Sequence, residues 1–125
     1  MTTEQKTIIV VEDEPDAAEM FAEMMRLNGF QVLKASGSAL AMSMIDKEKP
    51  DAVILDIMMP DISGLEVLHH IRSKPELKNI PVIVVSAKSL PADIKSGLDA
   101  GASIYLAKPV GYTDLKEAVE KALAA

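Results

Sequence analysis

Five short runs rich in Val and Ile recur along the 125 residues, at roughly Thr7 to Val11, Gln31 to Lys34, Ala52 to Leu55, Val82 to Val85 and Ile104 to Leu106. Each is separated from the next by a segment long enough for one helix. Three of the runs are apolar almost throughout, as strands covered on both faces are, and strand alternating with helix calls for a parallel sheet with right-handed crossovers. The expected fold is α/β: a doubly wound five-stranded parallel sheet with helices on both faces.

The segments between the runs carry helical spacing. Ala17, Met20, Phe21, Met24 and Asn28 mark the first, Leu40, Ala41, Met44 and Ile45 the second, and Leu65, Leu68 and Ile71 the third. The last has Leu115, Val119 and Leu123 at four-residue steps, with Thr113 as its expected N-cap and Glu117 beyond it. Asn28-Gly29 and Ala100-Gly101 read as left-handed helix stops. No linker, repeat or low-complexity tract breaks the pattern, so residues 1–125 read as one domain with a core of about 6–124 and no output domain.

Composition narrows the classes of function. Hydrophobic residues make up 49% of the chain, which excludes disorder, and no apolar run approaches the roughly 20 residues of a membrane span. A formal net charge of −6 with no Lys/Arg cluster argues against direct binding of DNA. The absence of cysteine removes disulfides and thiolate metal sites, and no signal core opens the chain, so a cytoplasmic location is expected. Aromatic residues are only 3% of the chain, leaving aliphatic and methionine side chains to fill the core; Met20, Met24 and Met25 are read as core and helix face.

In a parallel sheet the residues just past the strand ends gather on one edge, where open α/β sheets bind ligands. Glu12 and Asp13 follow the first run, Asp56 closes the third, Ser86 closes the fourth and Lys108 lies beyond the fifth. The second run, an edge strand in the expected order 2-1-3-4-5, contributes nothing evident. Three carboxylates offer hard oxygen ligands to a divalent ion such as Mg2+, while Lys108 and Ser86 suit the oxygens of a phosphoryl group. The carboxylate left free at the centre can be the nucleophile, forming an acyl phosphate.

At these residues the chain resembles the receiver domain of bacterial two-component response regulators, in the manner of the single-domain chemotaxis regulators. The resemblance lies in Val11-Glu12-Asp13-Glu14, in Leu55-Asp56-Ile57-Met58-Met59-Pro60 with Ser63-Gly64, in Val85-Ser86-Ala87, and in Gly101-Ala102 leading to Tyr105-Leu106-Ala107-Lys108-Pro109. It implies a flavodoxin-like fold. It also implies that Asp56 accepts a phosphoryl group from a sensor histidine kinase or histidine phosphotransfer protein. Mg2+, or Mn2+ as a substitute, would be held by Asp13, Asp56 and the Met58 backbone carbonyl, with Glu12 acting through water. Ser86, Ala87 and Lys108 would bind the phosphoryl oxygens, and the Lys108-Pro109 peptide would be cis. Ser86 and Tyr105 occupy the switch positions, whose movement would reshape the surface of the fourth helix, fifth strand and fifth helix for an effector protein. Such a chain phosphorylates and slowly dephosphorylates itself and turns over no separate substrate.

Some positions depart from the large DNA-binding subfamily. Ser103 and Ile104 stand where it has two acids, and the last helix has Lys116 and Lys121 but no arginine. The dimer of that subfamily is therefore not expected, and a phosphorylation-dependent homodimer of another kind stays an open alternative. Met58 and Lys88 occupy the positions that tune attack by water, and a bulky Met58 with a non-carboxylate Lys88 implies slow hydrolysis of the phosphoaspartate. His69 and His70 lack a partner at ligand spacing and read as solvated surface. A haloacid-type phosphatase would want an acid where Met58 stands, and neither a P-loop nor a dinucleotide glycine fingerprint is present. The alternative from another class is a degenerate receiver-like module that binds proteins and is never phosphorylated.

Overall fold

The structure, a computed structural model, describes residues 5–125. Its elements follow as β1 (Thr7–Val11), α1 (Pro15–Leu27), β2 (Gln31–Ala35), α2 (Ser38–Glu48), β3 (Ala52–Leu55), α3 (Gly64–Ser73), β4 (Val82–Ser86), α4 (Pro91–Asp99), β5 (Ile104–Ala107) and α5 (Tyr112–Ala124). All five strands are parallel, in the order β2-β1-β3-β4-β5. This is the doubly wound, flavodoxin-like arrangement that the alternating pattern calls for. The strands keep the expected starts, and β2, β4 and β5 each run one residue further, to Ala35, Ser86 and Ala107. Those residues are carried by their neighbours, Ala35 opposite Val11 and Ser86 opposite Ala107.

Because side chains alternate along a strand, β1 feeds two cores. Ile9 and Val11 join Ala41, Ile45, Val53, Leu55, Leu68 and Ile71 on the face covered by α2 and α3. Ile8 and Val10 join Phe21, Met25, Ile54, Ile83, Leu115 and Val119 under α1 and α5. Strands buried on both faces must be apolar throughout, which is why β3 is fully buried at every position.

Two apolar stripes lie differently from the spacing. In α1 the buried positions are Ala18, Phe21, Ala22 and Met25, whereas Met20 is 44% exposed. In α2 they are Ser38, Ala41 and Ile45, with Leu40 exposed. The buried faces mix small and large residues at helical spacing, and Met20 and Leu40 fall off those faces by their position on the helix.

Helix ends follow local chemistry. Glu14 caps α1, accepting from the Asp16 and Ala17 N–H groups at 3.2 and 2.7 Å, with Pro15 just inside. After α1 and α4 the chain closes Schellman turns, Phe30 N–H to Met25 O and Ala102 N–H to Gly97 O, through Gly29 (φ 87°) and Gly101 (φ 114°). The expected Thr113 cap is not used. The Leu115 N–H reaches the Gly111 carbonyl at 3.1 Å, so α5 starts two residues earlier and Thr113 lies inside its first turn.

Candidate functional site

β1 and β3 lie side by side at the centre of the sheet, yet the chain leaves β1 toward β2 and leaves β3 toward β4. The two connections part, and the crevice between them is where open sheets take ligands. Glu12, Asp13 and Asp56 stand at that crevice. Both loop starts are tied to the ladder: Glu12 N–H donates to Ala35 O at 3.1 Å and Asp56 N–H to Val11 O at 3.0 Å. Extended backbone thus carries each acid to the end of its strand before the turn begins.

One carboxylate oxygen from each of the three acids lies within 4.8 Å of the others. Glu12 and Asp56 are buried, 2% and 5% exposed, and Asp13 is half-buried. Lys108 bridges two of them, its Nζ 2.7 Å from Glu12 Oε1 and 3.2 Å from Asp56 Oδ2. Its backbone N–H donates to Ser86 O at 2.8 Å, extending the β4–β5 ladder, and its peptide to Pro109 is cis. The Nζ also lies 6.0 Å from the Phe21 ring centroid, at the outer limit of cation–π attraction.

Burial pushes the Glu12 carboxyl above the usual carboxylate range; the Lys108 contact pulls it back and the Asp56 charge adds to the rise. For Lys108, burial works to lower the pKa, but Glu12 and Asp56 outweigh it and the ammonium is held above its ordinary value. Among the described residues, Lys108 is the one cation within ion-pair distance of the three carboxyl groups, so acids outnumber bases at the crevice. The donor set is all oxygen, semi-enclosed and anionic, which fits a hard divalent cation and not a soft one.

Asp56 is further fixed from its own loop. Its Oδ1 accepts the Met58 N–H at 3.0 Å, and Gly64 closes the loop by donating its N–H to the Ile57 carbonyl at 2.8 Å. A Cβ on Gly64 would press against the Asp56 carbonyl and lie 2.7 Å from Ile57 Cα, so a glycine is required there. Met58, 49% exposed, lines an open cavity of about 440 Å³ with Ile57, Met59, Ser63 and Lys88.

The hydroxyl and the aromatic ring converge elsewhere. Ser86 is fully buried and its Oγ accepts the Lys88 N–H at 3.1 Å. The Tyr105 hydroxyl donates to the Lys88 carbonyl at 2.6 Å, and its ring packs where a Cβ on Gly97 would collide at 2.7 Å. Both side chains therefore hold one residue, Lys88, from opposite sides. Ala87 lies exposed between the buried hydroxyl and that residue.

Sequence reasoning brought together Glu12, Asp13, Asp56 and Lys108 at one edge, and the structure places them there. It did not find Phe21 beside Lys108, nor Asp61, whose carboxylate reaches back to α2. The close packing that demands glycine at 64 and at 97 leaves no mark in the spacing of a single sequence. Nor was His70 simply solvated: its Nε2 lies 2.8 Å from Asp46 Oδ1, while His69 is exposed.

A family model described as the response regulator receiver domain matches residues 8–120. The chain is 41% identical over 109 residues to the Probable transcriptional regulatory protein TcrX of Mycobacterium tuberculosis, covering 87% of this chain and 46% of that protein. It thus spans about half the length of the curated relatives it matches. A solved structure from Chloroflexus aurantiacus J-10-fl, described there as a response regulator, superposes with a TM-score of 0.93 at 32% identity, covering 98% of this chain and 100% of that one. The receiver domain of the sensor histidine kinase PA1611 from Pseudomonas aeruginosa PAO1, solved with a magnesium ion coordinated in its active site cleft, gives 0.90 at 25%, with 98% and 100% covered. Likeness in sequence and likeness in fold cover the same stretch, and the chain belongs to the response regulator receiver domain family of two-component signalling.

Proposed function

We propose that this receiver is a phosphoacceptor switch in which Asp56 takes a phosphoryl group from a phosphohistidine on a sensor kinase or phosphotransfer protein. The observation that carries this reading is the bridged cluster: Lys108 Nζ contacts both Glu12 and Asp56, and three acids crowd into a space fit for one cation. In the transfer an Asp56 carboxylate oxygen attacks phosphorus, the P–N bond breaks, and the imidazole leaves with the electron pair. Asp13, Asp56 and the Met58 carbonyl would hold Mg2+, with Glu12 acting through water. When bound, the ion neutralises charge building on the phosphoryl oxygens. Lys108 then exchanges a carboxylate partner for a phosphoryl oxygen, with Ser86 and the Ala87 backbone beside it.

Output would follow from the shared residue. A phosphoryl group that draws the Ser86 hydroxyl toward itself removes the acceptor of the Lys88 N–H, and Tyr105 is bonded to the other side of Lys88. The equilibrium shifts only as far as the phosphoryl group binds one arrangement better than the other. The α4–β5–α5 face would then present a changed surface to an effector protein. Met58 and Lys88, lining one cavity beside the acceptor, are the residues that would govern attack by water.

Incubation with acetyl phosphate and Mg2+, followed by intact mass, tests the reading. One phosphoryl group is expected to add, with none on Asp56→Ala and almost none on Asp13→Ala. No addition from acetyl phosphate or from any kinase would favour a protein-binding module that is never phosphorylated.

A further inference from the structure

The loop between β3 and α3 carries the backbone of Met58 and is tied at both of its ends by its own residues, Met58 to Asp56 and Gly64 to Ile57. A third tie crosses to another helix. α2 follows Gly37, which has no side chain to cap it, and its first turn contains no acid. The Asp61 carboxylate, 23 residues away, fills the place: Oδ2 accepts the Ser38 N–H at 3.0 Å, and Oδ1 lies 3.3 Å from the same donor. The Ala39 N–H reaches Oδ2 at 3.4 Å. The bond is answered in reverse, since Ser38 Oγ, fully buried, donates to the Ile62 carbonyl at 2.6 Å. The Ile62 N–H and then the α2 donors hold the Asp61 carboxyl below the usual range, as a carboxylate at a helix N-terminus should be. A Cβ on Gly37 would come within 3.1 Å of Asp61 Oδ2, so a local cap and this borrowed one compete for the same space.

We propose that Asp61 is a positioning residue for the cation site: docked on the first turn of α2, it fixes the loop from which Met58 offers its carbonyl to the ion and its N–H to Asp56. The inference rests on the reading of the acid cluster as a Mg2+ site. Asp61 touches neither cation nor phosphoryl group; it acts through the loop, as outer partners of metal ligands do.

Three variants separate positioning from mere helix capping. Asp61→Ala removes the tie. Gly37→Ser with Asp61→Ala gives α2 a cap of its own in the vacated space, because the Gly37 backbone is extended (φ 174°) and accepts serine. Asp61→Asn keeps an acceptor in place. Mg2+ affinity is measured by calorimetric titration, and amide exchange over Ile57 to Ser63 by NMR on the metal-free protein. Asp61→Ala is expected to weaken Mg2+ about tenfold and to speed loop exchange. The double variant should recover melting temperature but neither of those, and Asp61→Asn should recover part of both. Recovery of Mg2+ affinity along with melting temperature in the double variant overturns the proposal, as does unchanged loop exchange in Asp61→Ala. Should the unaltered protein take up no Mg2+, the Mg2+ reading itself fails, and the metal-free exchange still decides whether Asp61 holds the loop.

Discussion

The two edges of the sheet are built to opposite rules. At the carboxyl edge, the acids Glu12, Asp13 and Asp56 outnumber the one ammonium, that of Lys108, within reach among the described residues. At the amino edge, groups meet partners within the chain. Asp51 accepts the Thr7 N–H at 2.8 Å, and Ser103 Oγ accepts the Val82 N–H at 3.1 Å. Arg72, at the end of α3, donates to the carbonyls of Gly101 (2.9 Å), Lys78 (3.0 Å) and Ile80 (2.6 Å), and to Ser103 Oγ (3.4 Å). Those acceptors are all neutral, so the guanidinium works there as a fork of donors and not as an ion pair. Strands of four or five residues hold the two edges apart. One edge is satisfied by hydrogen bonds within the chain, and the other gathers acids in the arrangement of a cation site.

The largest expected effect comes from breaking the finished edge. Arg72→Met keeps the apolar stem but strands the part-buried carbonyls of Gly101 and Ile80, and should lower unfolding free energy by about 3 kcal/mol while leaving Mg2+ affinity unchanged. Urea denaturation and Mg2+ titration on the same variant check both halves. A change in Mg2+ affinity would show that the edges are not independent.

The unfinished edge should respond to a ligand instead. Mg2+ at millimolar concentration relieves repulsion among the three acids, with an expected gain of about 1–2 kcal/mol, roughly 4–8 °C in Tm. Asp13→Ala should remove most of that gain. A melting curve indifferent to Mg2+ would sink the cation site and the contrast with it.

The smallest effect is the most diagnostic, because the two edges should answer acid with opposite signs. Glu12 is raised above its unfolded value, chiefly by burial, so its contribution favours the fold below the unfolded pKa and is lost as pH rises through the folded one. Metal-free Glu12→Gln should therefore melt higher than the unaltered protein at neutral pH, with the difference closing as pH falls. Asp46, near the end of α2, is the reverse case. Burial works to raise its pKa, but His70 and Lys74 outweigh it and hold the carboxyl below its ordinary value. Its contribution is present above the unfolded pKa and lost as pH falls through the folded one. Asp46→Asn should melt slightly lower near neutrality and indistinguishably at low pH. Parallel slopes for the two variants would break the comparison.

How much of this was legible in the sequence depended on distance along the chain. Strands declared themselves because both faces of β1, β3 and β4 are buried, which forces continuous Val and Ile. The acids and Lys108 were legible because parallel strands carry every strand end to one edge, whatever the details of packing. The amphipathic stripes were less so. Met20 and Leu40 are as apolar as any core residue, but the buried faces run through Ala18, Phe21, Ala22 and Met25 and through Ser38, Ala41 and Ile45, which leaves them outside. Thr113 looked like a cap, but the first hydrogen bond of α5 falls at Gly111. What stayed hidden was non-local: Asp61 on α2 and Arg72 on Gly101 join residues 23 and 29 positions apart. No spacing rule reaches that far, and a polar residue in a loop looks the same whether it caps a distant helix or faces water.

The chain contains no tryptophan and two tyrosines. Tyr112 donates its hydroxyl to Asn28 Oδ1 at 3.1 Å, joining α5 to the end of α1, while Tyr105 sits on Lys88, the residue whose N–H is held by Ser86. Of the two chromophores, Tyr105 would belong to the proposed switch and Tyr112 would stand outside it. Near-ultraviolet difference spectra of the unlabelled protein should therefore follow Tyr105 against Tyr112 as an internal standard, making the molecule its own optical reporter.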